Sequence, residues 1–425
     1  MTACGLDFGT SNTTLGLARA EGAEALGAQA LGAELARLEG EEVTLPSAIF
    51  FAPTAAAKVG RAAMSAYLDG EPGRLMRGLK SVLGTSLIDE ATQVGRDRVK
   101  FRDVIASYLA IVKRRAEAAT GASLDAVVHG RPVHFVDGDD EGDARAEATL
   151  REIAQSVGFR EVSFQYEPVA AALDYERSVA AEELALIADI GGGTSDFTVV
   201  RLSPDRRGRD DRAADILAND GVRVGGVDFD RRLSLGEVMP LLGFRSPMKR
   251  RELEAPSSWF HELATWSSIN KLYDGRVVRQ IRETRREAAR PELLDRLIRV
   301  IESEGGHGIA AEVEGAKIRL SETEETAVPL GWAEPRLAAA VRRERFVAHT
   351  GALTAKITER IGRCLAAAGV GPERIDAVFL TGGSTRIPHV RGAILGAVPA
   401  ARPVEGDVFG SVGLGLTLEA ARRYG

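Results

Sequence analysis

The sequence predicts an α/β protein of two similar lobes, each offering one unit of strand, glycine turn and strand. Two observations predict it. The first is the stretch Leu184–Leu202, LALIADIGGGTSDFTVVRL. An apolar run carries Asp189 near its end, then come Gly191, Gly192 and Gly193, and a second alternating run begins after Thr194 and Asp196. Strand, glycine turn, strand is the reading. The second observation is the same outline at residues 4–18, CGLDFGTSNTTLGLA: an apolar approach, Asp7, Gly9, then Thr10, Ser11 and Asn12. The two aspartates stand about one domain length apart, the mark of an internal duplication.

Three bare glycines leave backbone N–H groups free to curl around an anion. The flanking acids would repel a phosphate unless a divalent cation sat between them and it. An ordinary hairpin turn needs one or two glycines, not three between two acids. Two lobes, each offering such a hairpin, would face a nucleotide from opposite sides.

With 425 residues the chain has room for two or three domains. Its 44% hydrophobic and 27% charged residues are those of a soluble globular protein. A net charge of −6 supplies no global field to recruit nucleic acid or anionic membrane. Cys4 and Cys364 form neither a metal-ligand spacing nor a disulfide framework, so a reducing cytoplasm is expected. The start MTACGLDFG lacks a signal-peptide pattern, and no apolar run reaches membrane-spanning length. No G-x-x-x-x-G-K-[ST] loop, G-x-S-x-G elbow or zinc spacing of the histidines occurs, and Gly413 and Gly415 lack a dinucleotide fingerprint's third glycine.

In chain order, Leu45–Phe51 reads as a short strand starting at a proline, and Arg61–Leu68 as helix-prone. Lys80 lies between apolar neighbours and reads, on spacing alone, as a snorkelling surface lysine. Phe101–Ala119 has helical spacing closed by Gly121. Asp125–Val128 is a strand, the acidic run 137–143 a solvated loop that fails the calcium-loop pattern, and Arg145–Val157 a helix. Glu167, just before Pro168, reads either as a helix-start acid or as a group aimed into the cleft between lobes. Gly225 and Gly226 precede a helix, which suits either phosphate contact or a plain tight turn. Residues 231–312 read as an inserted helical subdomain; its stripe Arg276, Arg279, Arg282, Arg286 and Arg290, interleaved with acids, reads as a solvated helix face. After the strand Ile375–Leu380, Gly382 and Gly383 with the nearby Arg386 suit a flat heteroaromatic ring packed on backbone and guanidinium.

These stretches together resemble the nucleotide-binding domain of the actin-like ATPase superfamily, and specifically DnaK-type heat-shock chaperones, over almost the whole chain. GLDFGTSN is similar to the first phosphate motif, DIGGGTSDFTVV to the second, YEPVAAAL to the connecting segment and LTGGSTRIP to the adenosine motif. LKSVLG, HGRPVHF and DVFGSV look closest to the truncated YegD branch. The resemblance implies an actin-like (ribonuclease H-like) α/β fold, duplicated into two lobes, each a mixed sheet flanked by helices, with inserted subdomains: lobe I over 1–183 with an insert at about 30–105, and lobe II over 184–425 with the helical insert at about 231–312 and a last helix over about 410–423. It implies ATP or ADP with magnesium, and potassium as a further ion. Gly9, Thr10, Ser11, Asn12, Gly191, Gly192, Gly193, Thr194, Gly225 and Gly226 would hold phosphates. Asp7 and Asp196 would orient metal-bound waters, while Lys80, Glu167, Asp189 and Thr194 would position the attacking water and the metal shell. Glu314, Lys317, Ser321, Gly382, Gly383, Ser384, Arg386 and Asp407 would complete the nucleotide contacts. Pro132 falls at the family's switch proline in a departing GRPV context, and Ile318 stands where a second basic residue is usual. The chain stops after the last ATPase helix, so no peptide-binding domain is expected. A cytoplasmic monomer working with protein partners or co-chaperones, with neither nucleic acid nor membrane as partner, is the implied state. A filament-forming actin-like ATPase and a superfamily sugar or carboxylate kinase are the alternatives.

Overall fold

Both hairpins form as their alternation predicts in the computed structural model, which describes residues 2–20, 31–53, 55–95, 97–206, 213–250, 253–406 and 410–425. Ala3–Phe8 pairs antiparallel with Asn12–Ala20, with Asp7 opposite Thr14. Glu183–Ile190 pairs antiparallel with Ser195–Leu202, with Asp189 opposite Asp196.

Each hairpin seeds a sheet of the same topology. In the first, Ala3–Phe8 pairs in parallel with Ala126–Arg131, which pairs in parallel with Glu161–Tyr166; Leu31–Leu35 lies antiparallel on the hairpin's far side. In the second, Glu183–Ile190 pairs in parallel with Ala377–Thr381, which pairs in parallel with Arg402–Glu405; Ile216–Val222 lies antiparallel on the far side. The duplication therefore extends from the motifs to strand order and direction.

The chain forms two compact units. One comprises Met1–Gly225, Lys356–Thr385 and Val390–Gly425, and the other Gly226–Ala355 and Arg386–His389. Both sheets lie in the first unit. Successive strand residues face opposite sides of a sheet, and Val127 and Val128 show the consequence. Val127 is buried with Phe8, Leu15, Tyr108 and Leu150, whereas Val128 joins a second core with Ala170, Ile187, Phe379 and Leu416. That second core takes residues from both sheets and from the helices Glu167–Glu176 and Ser411–Tyr424, so one apolar layer fixes the two hairpins together. Gly415 permits it: a Cβ there would stand 1.8 Å from the Ala170 carbonyl oxygen.

The helices Arg61–Leu68 and Phe101–Thr120 follow their predicted spacing, the latter ending at Gly121 with φ 69. Two expectations need correction. The Leu45–Phe51 run is two strands, Leu45–Pro46 and Ala48–Phe51, because Ser47 turns its amide and hydroxyl to the first glycine turn. The acidic run is no free loop: a helix starts at Asp140 and runs to Ser156, with Asp139 accepting from the Gly142 amide at 2.8 Å. Asp143 accepts from the amides of Phe135 and Val136 at 2.5 and 3.0 Å. Acids at a helix start satisfy orphan amides and suit the dipole, which outweighs solvation as a loop.

The second unit is mostly helical, with Gly275–Glu287, Pro291–Glu302 and Gly306–Arg319 beside the hairpin Glu325–Pro329 and Ala338–Arg342. Arg276, Arg282 and Arg290 of its basic stripe pair with Asp274, Glu302 and Glu292, in keeping with a solvated face. Among the described residues no helix is long and apolar enough to cross a membrane.

Candidate functional site

The two glycine turns close identically and meet. Gly9 N–H donates to the Asn12 carbonyl and Gly191 N–H to the Thr194 carbonyl, both at 2.9 Å. A Cβ on Gly192 would stand 2.2 Å from Ser11 Oγ, and one on Gly193 2.7 Å from Thr10 Oγ1. Gly225 presses on the same place, where a Cβ would be 2.4 Å from the Gly193 nitrogen. Ser384, from the loop after Ala377–Thr381, donates its hydroxyl to the Gly191 carbonyl at 3.1 Å. The structure thus gathers Gly9–Asn12, Gly191–Thr194, Gly225 and Ser384, with Gly382 and Gly383 adjoining, from distant parts of the chain into the first unit.

Around these turns lie four acids and one buried ammonium. Lys80 sits on the short 3-10 turn Leu79–Val82, and its Nζ donates to Glu167, the first residue of its helix; both side chains are buried. Lys80 is no snorkelling surface residue. Burial works against its charge, but Glu167, Asp7 and Asp196 outweigh that and raise its pKa. Asp196 is 1% exposed. Burial, then the charge of Glu167, push its carboxyl up to about 7, against the hydrogen bonds of Thr194 and the Val133 amide. That amide reaches Asp196 Oδ1 at 2.6 Å. Asp7 is likewise pushed up to about 7 by burial and then Glu167, and Asp189 well above the carboxylate range by burial, Glu167, Asp196 and Asp7.

Other predicted residues fall elsewhere. Gly226, Glu314, Lys317, Ser321 and Arg386 belong to the second unit. There Lys317 Nζ bonds Asp230 Oδ2 at 3.0 Å and the Gly226 carbonyl at 3.3 Å. Asp407 lies outside the described residues. Sequence reasoning missed the Val133 amide and Ser47. The first is a backbone group with no side-chain signal, and the only hint of the second is the proline before it. His129, beside Gly130, is a core residue: burial lowers its pKa to about 4, and its ring packs against Phe8 and Phe164.

The donor set suits a hydrated magnesium ion. Acids held protonated near neutrality by burial and mutual repulsion are released when a dication enters. Among the described residues no three such ligands converge to hold a metal by themselves. Magnesium, which keeps much of its water and shares phosphate oxygens, needs no such cage.

Two duplicated hairpins thus bring their glycine turns together beside one cluster of acids. A family model described as Hsp70 protein matches residues 3–235 and 303–404. The chain belongs to that family, and its α/β fold is the family's actin-like ATPase fold. It is 28% identical over 411 residues to a chaperone protein HscA homolog of Azotobacter vinelandii, covering 92% of this chain and 53% of that protein. To the chaperone protein HscA of Serratia proteamaculans it is 27% identical over 421 residues, covering 93% and 54%. The chain spans about half the length of the curated relatives it matches.

Proposed function

We propose that this chain binds ATP and ADP with magnesium, hydrolyses ATP slowly, and works as a chaperone-type nucleotide switch. The observation that carries the reading is the contact of two glycine turns beside four acids with one buried ammonium among them. The turns' amides and the hydroxyls of Thr10, Ser11 and Thr194 bind phosphate oxygens. Lys80, held by Glu167, directs its remaining N–H donors at the terminal phosphate and the water that attacks it. Asp7, Asp189 and Asp196 accept hydrogen bonds from ordered water. Magnesium supplies the positive charge that lets these carboxyls ionise beside a polyphosphate. Glu314, Lys317, Ser321 and Arg386 take the adenosine role that the family resemblance implies, and the protein works as a cytoplasmic monomer with protein partners. Single-turnover hydrolysis of bound ATP tests it. Wild-type protein releases phosphate, and Lys80→Ala slows release by about a hundredfold while still binding ATP. An unchanged rate would remove Lys80 from the chemistry.

A further inference from the structure

The first glycine turn is held from behind by three buried hydroxyls. Tyr108 Oη donates to Thr13 Oγ1 at 3.0 Å, the Thr13 and Ser47 hydroxyls are 2.9 Å apart, and Ser47 Oγ donates to the Gly9 carbonyl at 2.6 Å. All three side chains are buried. Each hydroxyl has one proton, and the carbonyl can only accept. The Ser47 proton is therefore committed to Gly9, that of Thr13 to Ser47, and that of Tyr108 to Thr13. Every donor points toward the turn, and each link polarises the next. Tyr108 Oη also approaches the Pro46 carbonyl at 3.3 Å.

Ser47 takes a second oxygen as well: its amide donates to the Ser11 carbonyl at 2.8 Å. In a trans peptide the C=O and N–H point in opposite directions, and the described residues contain no cis bond. With the Gly9 and Ser11 oxygens drawn to Ser47, the N–H groups of Thr10 and Asn12 are turned away from it. The second turn has a counterpart, since Ser384 donates to the Gly191 carbonyl. In both turns a serine from a distant part of the chain holds the first glycine's oxygen.

We infer that Ser47 is a positioning residue which aims the first turn's amides at a phosphate. Thr13 and Tyr108 fix the direction of its hydroxyl, and Ser384 plays the same part in the second turn. Ser47, Thr13 and Tyr108 need not touch the ligand. The inference rests on the nucleotide reading above, so its test separates the two. Calorimetry with magnesium compares ADP with adenosine for wild type, Ser47→Ala and Tyr108→Phe. Wild type binding neither ligand would overturn the nucleotide reading and this inference with it. With wild-type binding intact, Ser47→Ala weakens ADP about tenfold and Tyr108→Phe about threefold, while adenosine affinity stays within about twofold. Equal losses for ADP and adenosine would mark a merely structural role and overturn the inference, as would unchanged ADP affinity. Should Ser47→Ala fail to fold, Tyr108→Phe carries the same comparison.

Discussion

Lys80 and the acids around it set the chemistry of single residues. Lys80 is a buried ammonium facing Glu167, Asp7 and Asp196, so its removal leaves a buried carboxylate without its partner. Lys80→Ala is expected to lose about 3 kcal/mol of stability in urea denaturation, whereas Lys80→Met combined with Glu167→Gln loses less because no buried charge is stranded. A double variant as unstable as the sum of the singles would contradict this. The raised carboxyls give a pH signature. Asp7 and Asp196 sit at about 7 in the folded chain, against an ordinary value of 3.8. Between those values the folded state binds protons that the unfolded state has released, so stability falls as pH rises. Unfolding midpoints of the metal-free protein are expected to drop from pH 4 to about 7, and magnesium with ADP to flatten that slope. A midpoint rising across the window would refute the assignment.

Elements show what the sequence made legible and what it did not. The two hairpins were readable because alternation, an acid and glycines all mark one short stretch, and local chemistry alone fixes a tight turn. Helices such as Phe101–Thr120 were readable from an apolar stripe closed by a glycine. Lys80 was not, since only the fold brings Glu167 to it from 87 residues away. Ser47 was hidden for the same reason: its partners Gly9 and Thr13 lie on other elements. The acidic run misled because two of its carboxylates, Asp139 and Asp143, accept from nearby amides and its later part starts a helix. Packing of the last helix gives a test at this scale. Gly415→Ala would drive a methyl into the Ala170 carbonyl, and such overpacking is expected to cost about 3 kcal/mol. Retention of the wild-type unfolding midpoint would show that the helix does not seat so closely.

For the whole molecule, the central feature is a repeat used twice at one place. The two sheets share strand order, their turns share a closing bond, and each turn has a serine brace. Apolar residues of both sheets and two helices make one layer that keeps the turns in register. Membership in the Hsp70 family accounts for this architecture. The acid cluster makes a more specific demand, because polyphosphate beside four carboxyls needs a dication. Calorimetric titration with ATP, in magnesium and in its absence, tests that demand most directly. Magnesium is expected to tighten ATP binding by about a hundredfold, whereas equal affinity under both conditions, or no binding at all, would contradict the account.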